Sequence, residues 1–234
     1  MVNVKIGGII WRNMKKQFGN VYVKRFLYFN LYVIKGKYGD ILIDTGFIGM
    51  RKNLKKWLDK FNIKLVILTH AHVDHIWNTS YLKELYNCEV AIGINDIVNI
   101  DNSKICSKPF SKKYSGWTKL MNYGMKKFVP SYFEIDYELE DNDIINKYGL
   151  DLKIVELPGH TDGSIGIIYK DYLFCGDALV NRKRVIEAAY QNQNNEKALN
   201  SLLKIKDINP KIIFIGHDKE VTYDKYINSI IKMD

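Results

Sequence analysis

Cysteine is scarce. Cys88, Cys106 and Cys175 are the only three in 234 residues. An odd number, widely spaced and without a CxxC pair, excludes a disulfide-stapled scaffold and reads as reduced thiols in a reducing, cytoplasmic compartment. Long apolar runs are missing too: none approaches the roughly 20 residues of a membrane helix. The short apolar patch from Ile6 to Trp11 is followed, not preceded, by positive charge, which is the wrong order for a secretory signal. With four prolines, no linker and no low-complexity tract, the sequence predicts a single domain over 1–234. Arginine is rare as well. Nearly all of the net charge of +9 is lysine, and Lys, Asn, Ile and Tyr are abundant together. That reads as a compositional bias of the whole chain, so neither a nucleic-acid partner nor a membrane surface is expected.

What is present is ordinary for a globular protein: 47% hydrophobic and 26% charged residues. Val21 to Val23, Phe26 to Ile34 and Asp40 to Ile43 are rich in β-branched and aromatic residues, with Gly36 and Gly39 punctuating a hairpin. Leu54, Trp57, Leu58 and Phe61 fall at helical spacing, with lysines on the other face. Leu65 to Leu68 is an uninterrupted apolar run, the mark of a buried strand. A helix is expected over Ser80 to Tyr86, and strands over Glu89 to Ile92, Leu152 to Leu157, Ile165 to Tyr169 and Tyr172 to Cys175. A second helix is expected over Glu196 to Ile205, then a strand over Ile212 to Ile215 and a short helix through Tyr226 and Ile230. Strands alternating with helices place the chain in the α/β (α+β) class.

Histidine is the other rare residue, and its placement carries the chemistry. All five lie at or just beyond the C-terminal end of an expected strand: His70, His72 and His75 in His70-X-His72-X-Asp74-His75, His160 in Gly159-His160-Thr161, and His217 after Gly216. Asp177, in Gly176-Asp177, stands at a further strand end. Loops at strand ends are where α/β proteins assemble ligand sites. In extended backbone residues i and i+2 point to one side, so His70 and His72 can share an ion, and a turn at Val73 would aim Asp74 and His75 at a second. Imidazole and carboxylate without a nearby thiolate suit Zn2+, Mn2+ or Fe.

With its motifs in this order, the sequence resembles metallo-β-lactamase-fold hydrolases: Asp44-Thr45-Gly46, His70-X-His72-X-Asp74-His75, Gly159-His160-Thr161, Gly176-Asp177 and Gly216-His217. The resemblance spans about Phe26 to His217 and implies a four-layer αβ/βα sandwich of two mixed sheets flanked by helices. It further implies two divalent ions, Zn2+ ahead of Fe or Mn. His70, His72 and His160 would hold the first, Asp74, His75 and His217 the second, and Asp177 would bridge them. Asp44 would steady the ligand loops. The presence of Asp177 points to the glyoxalase II-like branch rather than to true β-lactamases. Only 17 residues follow His217, too few for the helical substrate domain of glyoxalase II enzymes. Trp77-Asn78 replaces a pair of small glycines, and Asp162 replaces a proline.

The activity implied is hydrolysis of a small ester, thioester or lactone, with Asp74 also passing a proton to the leaving group. Two other activities of the fold stay open, a phosphodiesterase or nuclease and a mononuclear-iron persulfide dioxygenase. A purely structural metal site is disfavoured, because it would close with four ligands. Residues 97–133 are basic and aromatic, and are expected to form a partly helical cap over the site, with a solvated surface loop or a homodimer contact as the alternatives. Trp77, Trp117 and Arg182 are expected to meet the substrate, which would be anionic if the basic residues serve it.

Overall fold

Period-two alternation explains the architecture. In the computed structural model, Leu31 and Val33 face one way and Tyr32 and Ile34 the other. Leu42 opposes Ile41 and Ile43, and Val66 and Leu68 oppose Leu65 and Ile67. Both faces of these strands are apolar, so both must be covered. The structure describes residues 5–6, 9–10, 16–26, 29–47, 49–100, 108–109, 115–116, 119–120, 123, 129–182 and 185–230.

The first sheet has seven strands. From one edge they are Tyr137–Leu139, Glu89–Gly93, Ile63–Leu68, Asp40–Ile43, Phe29–Lys35, Val21–Phe26 and Lys16–Phe18. The first four run parallel to one another and the rest are antiparallel, so the sheet is mixed. The second sheet has six strands: Ile144–Lys147, Leu150–Glu156, Ile165–Tyr169 and Tyr172–Phe174 as a meander, then Ile212–Phe214 parallel to the last of these, and Val221–Thr222 at the edge.

Three clusters of buried side chains define the layers. The middle one joins the inner faces of both sheets, with Tyr32, Ile43 and Ile67 from the first and Ile154, Ile167, Phe174 and Phe214 from the second. On the outer face of the first sheet, Leu54, Trp57 and Leu58 of helix Arg51–Leu58 and Leu82 of helix Thr79–Tyr86 pack on Leu42, Val66 and Val90. On the outer face of the second, Ala198, Leu202 and Ile205 of helix Asn195–Ile208 and Tyr226 of helix Tyr223–Ile230 pack on Leu173 and Ile213. The result is helix, sheet, sheet, helix: the four-layer αβ/βα sandwich.

Two differences from the expected elements have plain causes. The first helix stops at Leu58 rather than reaching Phe61, whose ring still packs on Trp57 with centroids 5.6 Å apart. The edge strands Lys16–Phe18, Tyr137–Leu139 and Ile144–Lys147 carry few apolar residues in a row, because an edge strand buries little, and so left no run to read. Among the described residues, no helix is long and apolar enough to cross a membrane.

Candidate metal centre

Five loops at one end of the two sheets carry the site. Strand Ile63–Leu68 delivers Thr69 to His72, and the single turn of helix Val73–Ile76 carries Asp74 and His75. Asp44 follows strand Asp40–Ile43, His160 follows Leu150–Glu156, Asp177 follows Tyr172–Phe174, and His217 follows Ile212–Phe214. Asp44 adopts a left-handed backbone, φ 60°, which aspartate tolerates better than most residues. There its Oδ1 accepts the Thr69 backbone N–H at 2.8 Å and its Oδ2 accepts His75 Nδ1–H at 2.8 Å. The Thr69 hydroxyl donates to Asp44 and lies 3.1 Å from His70 Nδ1. Asp44 therefore steers two imidazoles, His75 directly and His70 through Thr69. His160 Nδ1–H donates to the Gln191 carbonyl at 2.8 Å. In each case the outward nitrogen is occupied, which fixes the tautomer and leaves Nε2 to face the centre.

Those inward atoms converge. Ligand atoms of His70, His72 and His160 form one group within 4.8 Å of one another, Asp74, His75 and His217 form a second, and His70, His75 and Asp177 form a third that joins them. His70 Nε2 and His72 Nδ1 are 3.1 Å apart. Asp177 stands between the groups: its Oδ2 lies 3.6 Å from His160 Nε2 and 3.0 Å from His217 Nε2, and its Oδ1 lies 3.5 Å from His75 Nε2. Asp74 Oδ2 lies 3.3 Å from His217 Nε2. His70, His72, His75 and His160 are buried, whereas the Asp74 and His217 side chains keep about a quarter of their surface exposed, 24% and 23%. That side is where the centre opens.

The donor set fits metal ions. His75 Nε2, His160 Nε2 and Asp177 Oδ1, all turned to the centre, are buried without a hydrogen-bond partner, a cost that native interiors rarely bear without compensation. Two imidazole nitrogens sharing a tetrahedral ion at about 2.0–2.1 Å stand about 3.3 Å apart, close to the spacings seen here. Charge is partitioned accordingly. Burial pushes His72 down to about pKa 3, and burial also lowers His70 and His160, so the first group is neutral and its lone pairs are available. Burial works against a charge on His75, but Asp44, Asp177 and Asp74 overcome it and lift its pKa to about 10. His217 is raised in the same way, by Asp177 and Asp74 against burial. Ionised carboxylates that favour a proton on these imidazoles would equally favour a divalent cation in its place.

The family model described as the metallo-beta-lactamase superfamily matches residues 26–217. The chain belongs to that superfamily. A probable metallo-hydrolase of Methanocaldococcus jannaschii is 34% identical over 155 residues, covering 64% of this chain and 66% of its own length. Hydroxyacylglutathione hydrolase 1 of Vibrio vulnificus is 28% identical over 206 residues, covering 86% of this chain and 66% of its own. This superfamily member thus spans just under two thirds of each relative. A metallo-β-lactamase family protein of Thermus thermophilus superposes with a TM-score of 0.66 at 19% identity, over 92% of this chain and 80% of that one, and shows the same fold.

In this superfamily member, a second carboxylate that the sequence did not single out ties the histidine loops together. Asp96 is fully buried and accepts from Ala71 N–H at 2.6 Å, between His70 and His72, and from the Thr161 hydroxyl at 2.9 Å, next to His160. The Gly163 N–H and the Asn99 amide complete its shell. Asn30 and Tyr32 hold the other side, through the Ile215 and Asp218 carbonyls flanking His217. Cys175 is a buried thiol in the outer core of the second sheet.

The substrate-facing candidates fare unevenly. Trp77 is half-buried, with its ring 5.5 Å from that of Phe47. Arg182 ends the strand Val180–Arg182, and its side chain lies outside the described residues, as does Trp117 altogether. Asp162 faces solvent and pairs with Lys197 at 2.7 Å. Of residues 97–133, Lys108–Pro109 forms a strand paired with Gln191–Asn192, whose Gln191 carbonyl orients His160.

Proposed function

We propose that the chain is a dinuclear metal-dependent hydrolase of small acyl substrates, thioesters first, with ester and lactone cleavage as related activities. The observation that carries this reading is Asp177, one carboxylate within 3.6 Å of His160 on one side and 3.0 Å of His217 on the other. His70, His72 and His160 would hold one ion, and Asp74, His75 and His217 the other, with Asp177 shared. Two divalent ions, Zn2+ first, would supply a nucleophilic hydroxide at neutral pH and polarise the acyl oxygen. The chain's own residues do the rest. Asp44, Thr69 and Gln191 hold the imidazoles in register. Asp74 stands at the open side, with its Oδ2 3.3 Å from His217 Nε2 and its side chain about a quarter exposed. An ionised carboxylate at that place accepts a proton from the attacking water and returns it to the departing thiolate. Phe29, with its ring 5.4 Å from His217, walls the entrance with apolar surface suited to an acyl chain. The name of the Vibrio vulnificus relative supports a hydroxyacyl thioester as the type of substrate.

A panel of thioester, ester, lactone and phosphodiester substrates, assayed with the metal content measured on the same sample, tests this. Thioester turnover rising with bound metal is the expected result. A phosphodiester turned over well ahead of every acyl substrate would overturn it in favour of the nuclease reading.

Gly216 supplies a second test. A Cβ there would stand 2.1 Å from Asp177 Oδ1 and 2.7 Å from His75 Cε1, so only glycine lets the carboxylate sit where it does. Gly216→Ala should displace Asp177 or His75 and weaken metal binding by about 10- to 100-fold, the usual effect of misplacing a ligand. Overpacking of this kind costs about 1–3 kcal/mol, so the variant should still fold. Competition with a chromophoric chelator and a thermal melt separate the two effects. Unchanged metal affinity would show that Asp177 takes no part in binding.

A further inference from the structure

We propose that the cleft bounded by Gly49, Arg51, Lys52 and Trp77 receives the anionic end of the substrate, a carboxylate or phosphate carried on the leaving thiol; this rests on the acyl-hydrolase reading above. The cleft has a volume of about 390 Å³, and its lining holds two cations and no acid. One of the cations is held in place. The Arg51 guanidinium lies over the Tyr81 ring at 4.9 Å, and its Nε donates to Asn78 Oδ1 at 3.4 Å. Asn78 is itself fully buried and fixed, its amide donating to the carbonyls of Thr45 at 2.9 Å and Phe47 at 3.1 Å. Nε is the engaged atom, and the paired Nη groups are the part of the fork that matches a carboxylate or phosphate.

Both cations also stand where the helix does not want them. Arg51 and Lys52 open helix Arg51–Leu58, whose first turn holds no acid, so they face the positive end of the macrodipole. An anion in the cleft turns that local repulsion into attraction. The cleft is joined to the metal centre by aromatic surface: Trp77 meets Phe47 at 5.5 Å, Phe47 meets Phe29 at 6.2 Å, and Phe29 meets His217 at 5.4 Å. One molecule can therefore lie along this wall, with its acyl group at His217 and its charged end at Arg51.

The test uses three thioesters of one acyl group, on thiols that carry a carboxylate, a phosphate or a neutral amide. Wild-type enzyme should favour the anionic thioesters by about 10- to 100-fold in kcat/KM, the scale of one or two charge-assisted hydrogen bonds. In Arg51→Gln/Lys52→Gln that ratio should collapse toward one, through KM, with metal content unchanged. Whichever of carboxylate and phosphate loses more identifies the group the cleft takes. An anionic preference that survives the double substitution, or was never present in the wild type, overturns the proposal. If wild-type protein hydrolyses none of the three, the acyl-hydrolase reading fails, and the subsite is read directly. Calorimetric titration of the metal-loaded protein with the S-methylated thiols then decides. Binding of the anionic compounds that is lost in the double variant supports the cleft, and equal binding of all three sinks it.

Discussion

His72→Ala should strip most of the metal from the first group and lower kcat/KM by at least about 100-fold, with chelation of the wild-type protein producing the same loss. His72 is buried just past the C-terminal end of a sheet strand, with its Nδ1 3.1 Å from His70 Nε2. Removing it takes away one of the three imidazoles on that side and leaves His70 and His160 with only the shared Asp177 carboxylate beside them. The magnitude follows from what metal binding supplies: a water pKa lowered from 15.7 toward about 7 makes the nucleophile available at neutral pH, and without it almost none exists. Elemental analysis and steady-state kinetics on the same preparations measure both quantities, and titrating metal back into the chelated wild type should restore activity. A metal-free preparation as active as the loaded one would end the metallo-hydrolase reading.

The parts of the centre that could be read in the sequence share a physical reason. A strand buried on both faces is an unbroken apolar run, so Leu65–Leu68 and Ile212–Ile215 announce their own ends, and a histidine just past such an end is conspicuous in a chain with five. Asp44 is reached through the resemblance, whose Asp44-Thr45-Gly46 turn is a local motif. Asp96 could not be read. Its partners, Ala71 and Thr161, are 25 and 65 residues away, and the surrounding Ile94–Asn99 turn has no motif that distinguishes a structural carboxylate from a solvated one. Asn30 escaped for the same reason, since it reaches the His217 loop across 185 residues of sequence. The second set of orienting contacts is therefore a property of the tertiary fold: it exists only once both sheets have packed and brought their loops to one end. Trp77 was legible as a departure from small residues, but the basic cleft it borders needed Arg51, Tyr81 and Asn78 placed in space.

Asp177→Ala should cost more than the loss of any one ligand confined to one group, because its carboxylate faces both. Its carboxylate approaches His160, His75 and His217, whereas His160 belongs to the first group only. Without Asp177, two divalent ions so close would repel each other with one less negative charge between them, so occupancy should fall from two ions toward one. Asp177 also helps keep His75 and His217 in their charged, cation-attracting surroundings, and its loss weakens the second group beyond the missing bond. The expected order of remaining activity is wild type, then His160→Ala, then Asp177→Ala, with Asp177→Asn between the last two, since an amide keeps one oxygen but not the charge. Metal stoichiometry should follow the same order, and circular dichroism should show that each variant keeps its sheets. Near wild-type turnover with two ions bound in Asp177→Ala would mean that the carboxylate serves some other end than joining the two groups.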